Sequence, residues 1–318
     1  MSIRALLSRA DGTDDEIDLD EWMSIRERED QLLWVDLDRP TPSELEAVGR
    51  TLSLDSELTE AFRAESLVPD AVVHSDAVEV VILALAGELD AEPVPVRILI
   101  GLGWIVTHRG ADVPFLDDHR QRITDQREVG RLTALEFLAS LLDRHVETFF
   151  AAAEALADEV DKLEDAALRS DKDLLDRLVA MRRRIAHVRG ILTLHRELAA
   201  ELARPDFLPE ANDRANAALA AVGQRLDRAG EAMARDREML LGTFDVHMTR
   251  MAQRTNDTMR LLTLASVILL PAVVLAGVMG MNFQVPLFDQ PEVFYVVIGL
   301  MVVMATGTLL VARWRNWL

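Results

Sequence analysis

Two long uncharged segments near the C-terminus constrain the fold of this chain more than any other feature. Residues 261–281 form a run of 21 and residues 293–312 a run of 20, and neither contains Asp, Glu, Lys or Arg. A helix rises about 1.5 Å per residue, so each run can cross a bilayer core of about 30 Å. Apolar runs in a buried helical hairpin of a soluble protein are usually only about 10 to 14 residues long. The sequence therefore predicts two transmembrane helices.

The net charge of the chain is confined to the part that precedes these runs. The 318 residues include 34 Lys and Arg and 54 Asp and Glu, a formal net charge of −20. Residues 1–255 hold 51 of the acids and 31 of the bases, and the remaining residues hold three of each. Nucleic acid phosphates attract basic surfaces, and this chain is acidic. We therefore expect no nucleic-acid partner.

Several chemistries lack the residues that they need. The absence of cysteine excludes disulfides, thiolate metal sites and cysteine nucleophiles. The seven histidines are scattered without a metal-binding spacing, and the sequence contains no glycine-rich phosphate loop. We expect neither an enzyme nor a nucleotide-coupled pump, and no resident cofactor. Any metal that the protein handles must be bound by oxygen or imidazole.

The arginines next to the two runs predict how they cross the membrane. Three precede the first run and two follow the second, whereas residues 282–292 between them contain no Lys or Arg. By the positive-inside rule both flanks are cytoplasmic and the loop is outside. The N-terminus has no apolar run long enough for a signal peptide. We expect a multi-pass protein of the cell (inner) membrane with cytoplasmic N- and C-termini. The flanking arginines are Arg250, Arg254, Arg260, Arg313 and Arg315.

The residues before the first run are predicted to form an α/β domain followed by long helices. Ser43, with Glu46 three residues later, is typical of a capping box at the start of a helix. Beyond residue 132 apolar residues recur at helical spacing. Strand candidates, rich in Val, Ile, Leu and Trp, are residues 3–7, 32–37, 77–86 and 96–107. The predicted segments are an α/β domain (1–130), an antiparallel helical hairpin (131–209), a stalk helix (210–260), a first transmembrane helix (261–281), an outer loop (282–292), a second transmembrane helix (293–312) and a basic tail (313–318).

One face of the stalk and first transmembrane helix carries small, polar or mildly apolar residues. They follow alternating steps of four and three, an average of 3.5, which is the period of helices packed around a common axis. The stripe indicates either a pore lining or a tight helix–helix contact through small residues. Two spans per chain cannot enclose a pathway, so a pore requires a symmetric oligomer. The stripe consists of Asp245, Thr249, Ala252, Asn256, Met259, Thr263, Ser266, Leu270, Val273 and Gly277.

The first run ends in the tripeptide Gly280-Met281-Asn282, followed by Phe283. At the outer end of the first of two C-terminal spans, this tripeptide resembles the signature of the CorA family of divalent cation transporters. Residues 255–283 resemble the pore helix of that family throughout, including the mid-span proline, and the basic tail ARWRNWL is similar as well. Met279 departs from the pattern, because many members have an aromatic residue there.

The resemblance implies an α+β membrane protein that assembles as a funnel-shaped homopentamer in the lipid bilayer. Its cargo would be hydrated divalent cations, Mg²⁺ above all, with Co²⁺ or Ni²⁺. Mg²⁺ gives up water reluctantly, and a ring of Asn282 side chains offers neutral carbonyl oxygens to its hydration shell. The site residues implied by the stripe and the resemblance are the filter Gly280, Met281 and Asn282; a polar ring at Asn256; constrictions at Met259, Leu262 and Leu270; pore-lining Thr263, Ser266, Val273 and Gly277; an acidic neck ring at Asp245; and the outer-loop acids Asp289 and Glu292.

Two alternative functions and the question of a regulatory site stay open at the level of sequence. A zinc transporter of the ZntB-like branch of the same superfamily, with or without proton coupling, is the near alternative. A membrane-anchored coiled-coil interaction protein is the alternative from a different class, although the stripe and the tripeptide speak against it. CorA-like members can sense Mg²⁺ through cytoplasmic carboxylates. Glu88 and Asp90 are candidates for that role, but the sequence assigns no regulatory site.

Overall fold

The boundary between the two units of this chain lies inside its longest helix. The structure, a computed structural model, describes residues 3–9, 13–18, 21, 31–54, 58–59, 67–87, 89–125, 132–169, 173–281 and 291–314. The first unit covers Met1–Thr243 and the second Phe244–Leu318. The main helices are α1 (Pro42–Thr51), α2 (Pro114–Asp125), α3 (Ala134–Arg169), α4 (Leu174–Leu202), α5 (Asp213–Met279) and α6 (Pro291–Trp314).

A seven-stranded mixed sheet organises the first unit. Its strands are β1 (Ile3–Arg9), β2 (Asp14–Glu16), β3 (Gln31–Asp38), β4 (Asp70–Val73), β5 (Val78–Ala84), β6 (Val94–Gly101) and β7 (Trp104–Arg109). Their spatial order is β2-β1-β3-β7-β6-β5-β4. Neighbours are antiparallel except β3 and β7, which run parallel with Val35 opposite Val106.

Both faces of the central strand β3 are buried. Leu32 and Trp34 belong to one hydrophobic core, whereas Leu33 and Val35 belong to a second core on the other face. Successive side chains of a strand point to opposite faces, so a strand covered on both sides needs a continuous apolar run. Helix α1 covers the smaller core, and α3, α4 and the first half of α5 contribute to the larger one.

Long helices with one apolar face follow the sheet. In α3 the buried residues Leu156, Val160 and Leu163 recur every three or four positions, and α4 shows the same spacing. Helix α5 has 67 residues and therefore rises about 100 Å. It includes Pro271 and passes through the boundary of the two units. The α+β fold class, with long helices and two C-terminal apolar helices, is confirmed.

The capping box of α1 lies two residues before the predicted one. The backbone N–H of Thr41 donates to Oε2 of Glu44 at 2.7 Å, and the backbone N–H of Glu44 donates to Oγ1 of Thr41 at 3.3 Å. The prediction that Ser43 and Glu46 form the capping box is therefore wrong. The reason is Pro42, which favours the first helical position because its missing N–H is not needed there.

The strand predicted at residues 96–107 is wrong as well, because it is two strands. β6 and β7 pair as a tight antiparallel hairpin in which Gly101 lies opposite Trp104. Gly103 has a φ of +73°, a backbone conformation that favours glycine. Leu102 lies at the tip of the turn and is 94% exposed. Apolar residues on both sides concealed the turn, although the two glycines signal it.

Candidate ion pathway

One face of α5 is covered within the second unit, and the rest of its apolar part is exposed. Leu264 is only 8% exposed, and on α6 Ala312 is only 4% exposed. Of the helices that the structure describes, α6 is the other one in this unit, and we infer that it covers this face of α5. The covered face of α5 consists of Leu264, Ile268, Pro271, Ala272, Leu275 and Met279, and that of α6 consists of Val293, Val297, Met301, Ala305, Thr308 and Ala312.

The predicted stripe lies on the opposite side of α5. A helix turns about 100° per residue, which puts the centre of the stripe's apolar part, from Met259 to Gly277, about 170° from the centre of the covered face. All ten stripe residues are exposed in the single chain, Leu270 and Val273 by 66% and 67%. The stripe is therefore not the surface that packs against α6, and it is free to face an axis shared with other copies. Leu262, one residue off the stripe, lies about 60° from its centre.

The hydroxyl groups of the stripe are satisfied inside their own helix. Oγ1 of Thr263 donates to the carbonyl oxygen of Met259 at 2.8 Å, and Oγ of Ser266 donates to that of Leu262 at 2.9 Å. Such bonds to the preceding turn allow a hydroxyl to sit in an apolar helix without a partner from another element. The oxygen lone pairs remain available to accept hydrogen bonds from water.

Helix α5 ends at the tripeptide. The backbone N–H of Gly280 donates to the carbonyl oxygen of Ala276 at 3.0 Å, and that of Met281 donates to Val278 at 3.3 Å. A Cβ at Gly280 would lie 3.3 Å from the carbonyl oxygen of Ala276, so a larger residue would crowd this last turn. Asn282 and Asp289 lie outside the described residues. Of the other end residues, Glu292 is exposed in the first turn of α6, and Asp245 is exposed on α5.

The carboxylate of Asp90 is engaged within its own chain. Oδ2 of Asp90 accepts from Nε of Arg184 at 2.8 Å, and Glu159 accepts from the same guanidinium at 2.7 Å. The hydrogen bond to Asp90 raises the pKa of Arg184 above its ordinary value. Glu88, the other regulatory candidate, lies outside the described residues. Among the residues that the structure describes, no three His, Asp or Glu side chains form a group that could hold a metal ion.

Most of the chain, from residue 29 to residue 313, matches a single protein family, described as CorA-like Mg²⁺ transporter protein. The matched residues include both apolar helices and the end of α5. The chain belongs to the CorA family. Members of this family are transporters of the membrane and not enzymes. Two of the described helices are long and apolar enough to cross a membrane, Asp213–Met279 and Glu292–Trp314. Only 6% and 0% of the residues in their most apolar stretches are buried.

Relatives align with most of the chain, and a solved structure shares its fold over nearly all of it. The cobalt/magnesium transport protein CorA of Thermotoga maritima is 26% identical over 234 residues, which is 73% of this chain and 66% of that protein. The CorA of Methanocaldococcus jannaschii is 22% identical over 297 residues, 91% of this chain and 92% of that protein. The complete structure of the latter magnesium transporter gives a TM-score of 0.84 at 19% identity, covering 99% of this chain and 98% of the other.

The cytoplasmic domain of ZntB from Vibrio parahaemolyticus is a weaker match. It gives a TM-score of 0.55 at 9% identity and covers 77% of this chain. The first unit therefore shares its fold with this domain to a lesser degree. The zinc-transporting alternative is not favoured by these similarities.

Proposed function

We propose that this chain forms a homopentameric pore that carries hydrated divalent cations across the cell membrane, Mg²⁺ above all, with Co²⁺ and Ni²⁺. The observation that carries the proposal is the position of the stripe on α5, about 170° from the face that α6 covers. Membership in a family of Mg²⁺ transporters supports the choice of cargo.

Five α5 helices around one axis account for the surface of the second unit. Each presents its stripe to the axis, and α6 packs behind it. The outward side of α6 then faces lipid, which agrees with the exposure of Tyr295, Val303 and Leu310 by 73%, 67% and 63%. Large exposed apolar residues require such an environment, because no stable surface in water leaves so many together. A second copy of the chain is the required partner, since two spans cannot enclose a path alone.

The ends of the pathway are assigned from the tripeptide and the acids near it. Carbonyl oxygens of Gly280, Met281 and the Asn282 side chains attract a hydrated cation without stripping its water, as Mg²⁺ requires. Asp289 and Glu292 raise the local cation concentration at the outer mouth. At the other end, Asp245 forms an acidic ring on the stalk part of α5.

The middle of the pathway combines a polar ring with apolar constrictions. Asn256 supplies neutral amide groups near the inner membrane face, and Met259, Leu262 and Leu270 narrow the path. Apolar constrictions gate by excluding water when they are tight. With the termini in the cytoplasm, as the arginines predict, the membrane potential favours entry of a divalent cation by about 4.6 kcal/mol per 100 mV.

The experiment that tests the proposal is metal uptake into proteoliposomes that contain the full-length protein. Mg²⁺, Co²⁺, Ni²⁺ and Zn²⁺ are offered in turn, with and without an imposed pH gradient. We expect uptake of Mg²⁺, Co²⁺ and Ni²⁺ that is driven by the membrane potential and independent of the pH gradient. Zn²⁺ uptake that needs the pH gradient would instead support the ZntB-like alternative. A lack of uptake of all four metals would contradict the transport proposal.

The filter assignment has its own variant. Asn282→Ala removes the amide oxygens while the fold of both units stays unchanged, so we expect uptake to be lost and the oligomer to persist on size-exclusion chromatography. Asn212→Ala is the matched control, because Asn212 lies just before α5 and caps it through the backbone N–H of Ala215 at 2.8 Å. Uptake in that control should equal that of the unmodified protein. Equal uptake by Asn282→Ala and the control would remove Asn282 from the filter.

A further inference from the structure

In the turns that precede its apolar part, α5 carries arginines on the same side as its covered face. Relative to Leu264, Arg260 lies about 40° around the helix in one direction and Arg254 about 80° in the other, whereas the stripe is centred about 140° away. Both side chains are exposed. These guanidinium groups therefore point away from the proposed pore axis, toward the side on which α6 lies.

The last turn of α6 brings a third basic position to the same end of the hairpin. Leu264 and Ala312 are the most deeply buried residues of the two uncharged runs, and Arg313 directly follows Ala312. Trp314 is 86% exposed and lies about 130° from the centre of the covered face of α6, so its ring points outward. We name Arg254, Arg260, Arg313 and Trp314 the basic rim.

Among the residues that the structure describes, the charges of the basic rim are incompletely balanced. Nη1 of Arg260 is 3.9 Å from Oδ1 of Asp257, and both side chains are more than half exposed. An ion pair that is both this long and exposed to solvent contributes little to stability. Three arginines against one aspartate leave a local charge of +2 on a chain whose net charge is −20. The positive charge of the basic rim is therefore a local feature, and it does not follow from the composition of the chain.

We propose that the basic rim binds the headgroup of an anionic phospholipid. A guanidinium matches the oxygens of a phosphate with two parallel hydrogen bonds. Tryptophan favours the interface between hydrocarbon and headgroups, where its ring and its N–H are both satisfied. The apolar outer surface of α6 leads directly to Arg313, so acyl chains and headgroup have continuous partners on this chain. Free phosphate has no acyl chains, so it would leave the apolar surface of α6 uncovered. A lipid fits both the apolar surface and the basic rim.

The opposite end of the hairpin offers no comparable site in its described part. The first turn of α6 carries the acidic Glu292, and it is followed by exposed Phe294 and Tyr295, whose rings meet edge to face at 5.7 Å. An anionic headgroup is therefore bound in one leaflet only, the one next to the basic rim. The inference requires that the hairpin spans the membrane, and it does not require that the protein transports metal.

The test measures lipid binding to the detergent-solubilised full-length protein by native mass spectrometry. Phosphatidylglycerol is compared with phosphatidylcholine of the same acyl chains. Arg260→Gln/Arg313→Gln is compared with Arg182→Gln/Arg183→Gln, which removes the same charge from exposed positions of α4. Each arginine near an anionic surface contributes about a fivefold factor in affinity. We expect the rim variant to weaken phosphatidylglycerol binding about thirtyfold and the control variant to leave it unchanged.

Three results would overturn the proposal. Equal affinity of the unmodified protein for the two lipids would show that the headgroup charge is not recognised. An equal loss in both variants would assign the effect to net charge. Displacement of the lipid by soluble glycerophosphoglycerol at similar concentrations would show a phosphate site rather than a lipid site. Metal uptake by the same preparations is measured separately. If the protein prefers phosphatidylglycerol but takes up no metal, the proposed transport function is overturned and the lipid site is not.

Discussion

Nε2 of His195 accepts a hydrogen bond from the backbone N–H of Leu83 at 3.0 Å, which ties helix α4 to strand β5. Nδ1 of the same ring lies 2.8 Å from the carbonyl oxygen of Ile191 and is therefore the protonated nitrogen. The ring has to stay neutral, because a proton on Nε2 would face the Leu83 N–H. Burial lowers the pKa of His195 to about 4 and that of neighbouring His145 well below its ordinary value.

These histidines predict a protein that loses stability in mild acid. The unfolded chain binds the proton at an ordinary pKa near 6.5, whereas the folded chain holds His195 neutral down to about 4. The stabilisation is complete above pH 6.5 and declines as the pH falls toward 4, by about 3 kcal/mol for His195. We expect the unfolding temperature of the full-length protein in detergent to fall between pH 7 and pH 5.

The contribution of His195 is isolated by His195→Gln, whose amide oxygen can still accept from Leu83. This variant should flatten the decline, while His187→Gln, at a half-buried position of α4, should retain it. An unchanged pH profile in His195→Gln would show that the acid sensitivity arises elsewhere.

A buried ion pair holds the parallel strands β3 and β7 together with α2. The guanidinium of Arg109, 1% exposed, donates to Asp36 at 3.3 Å and to Asp117 at 3.1 Å. Removing Arg109 leaves buried Asp36 with a longer ion pair to Nη2 of Arg120, at 3.5 Å, which compensates its charge in part. Arg109→Met should therefore lower the free energy of unfolding in urea by about 3 kcal/mol, the low end for a broken buried pair. Arg39→Met, which removes an exposed partner of Asp38, should change it little, and equal losses would contradict the account.

The turn between β6 and β7 depends on Gly101 as well as on Gly103. A Cβ at Gly101 would lie 2.2 Å from the ring of Trp104, and Trp104 is nearly buried. Gly101→Ala should lower the free energy of unfolding by about 1–3 kcal/mol, the usual cost of overpacking. A Cβ at Gly110 would meet no atom within 4 Å, so Gly110→Ala provides the control. Equal urea midpoints of the two variants would show that the Trp104 ring moves aside freely.

Adjacent leucines on α5 test the proposed constriction. Leu269 and Leu270 are equally exposed in the single chain, at 61% and 66%, but about 100° separates them around the helix. Leu270 lies on the stripe and Leu269 does not. Leu270→Ala widens the constriction, so uptake of Mg²⁺ into proteoliposomes should rise severalfold, while Leu269→Ala should leave it unchanged. A greater effect of Leu269→Ala would place the constriction on another face.

The architecture was largely accessible from the sequence because its signals are long and periodic. Two uncharged runs predicted the apolar helices, and apolar spacing predicted α3 and α4. Short-range signals were less reliable. Helix α2 was missed because most of its residues are polar, and the short edge strands β2 and β4 carry little pattern at all.

The candidate site was predicted as a pattern but not as an orientation. The stripe and the covered face of α5 both contain apolar residues, such as Leu270 and Leu275, and periodicity alone does not tell which one meets α6. That distinction depends on packing. The ion pair of Asp90 with Arg184, separated by 94 positions in the chain, likewise arises only from the tertiary fold.

The most direct test of the central claim is thiol accessibility along α5, which the absence of cysteine makes possible without background labelling. Ser266→Cys and Val273→Cys lie on the stripe, and Ala265→Cys and Ala276→Cys lie about 100–120° from its centre at similarly exposed positions. A charged, membrane-impermeant thiol reagent requires water at the thiolate. We predict that it modifies the two stripe variants in proteoliposomes and abolishes their Mg²⁺ uptake, and that it spares the other two. Modification of all four at equal rates, or of the off-stripe pair alone, would contradict a pore lined by this face.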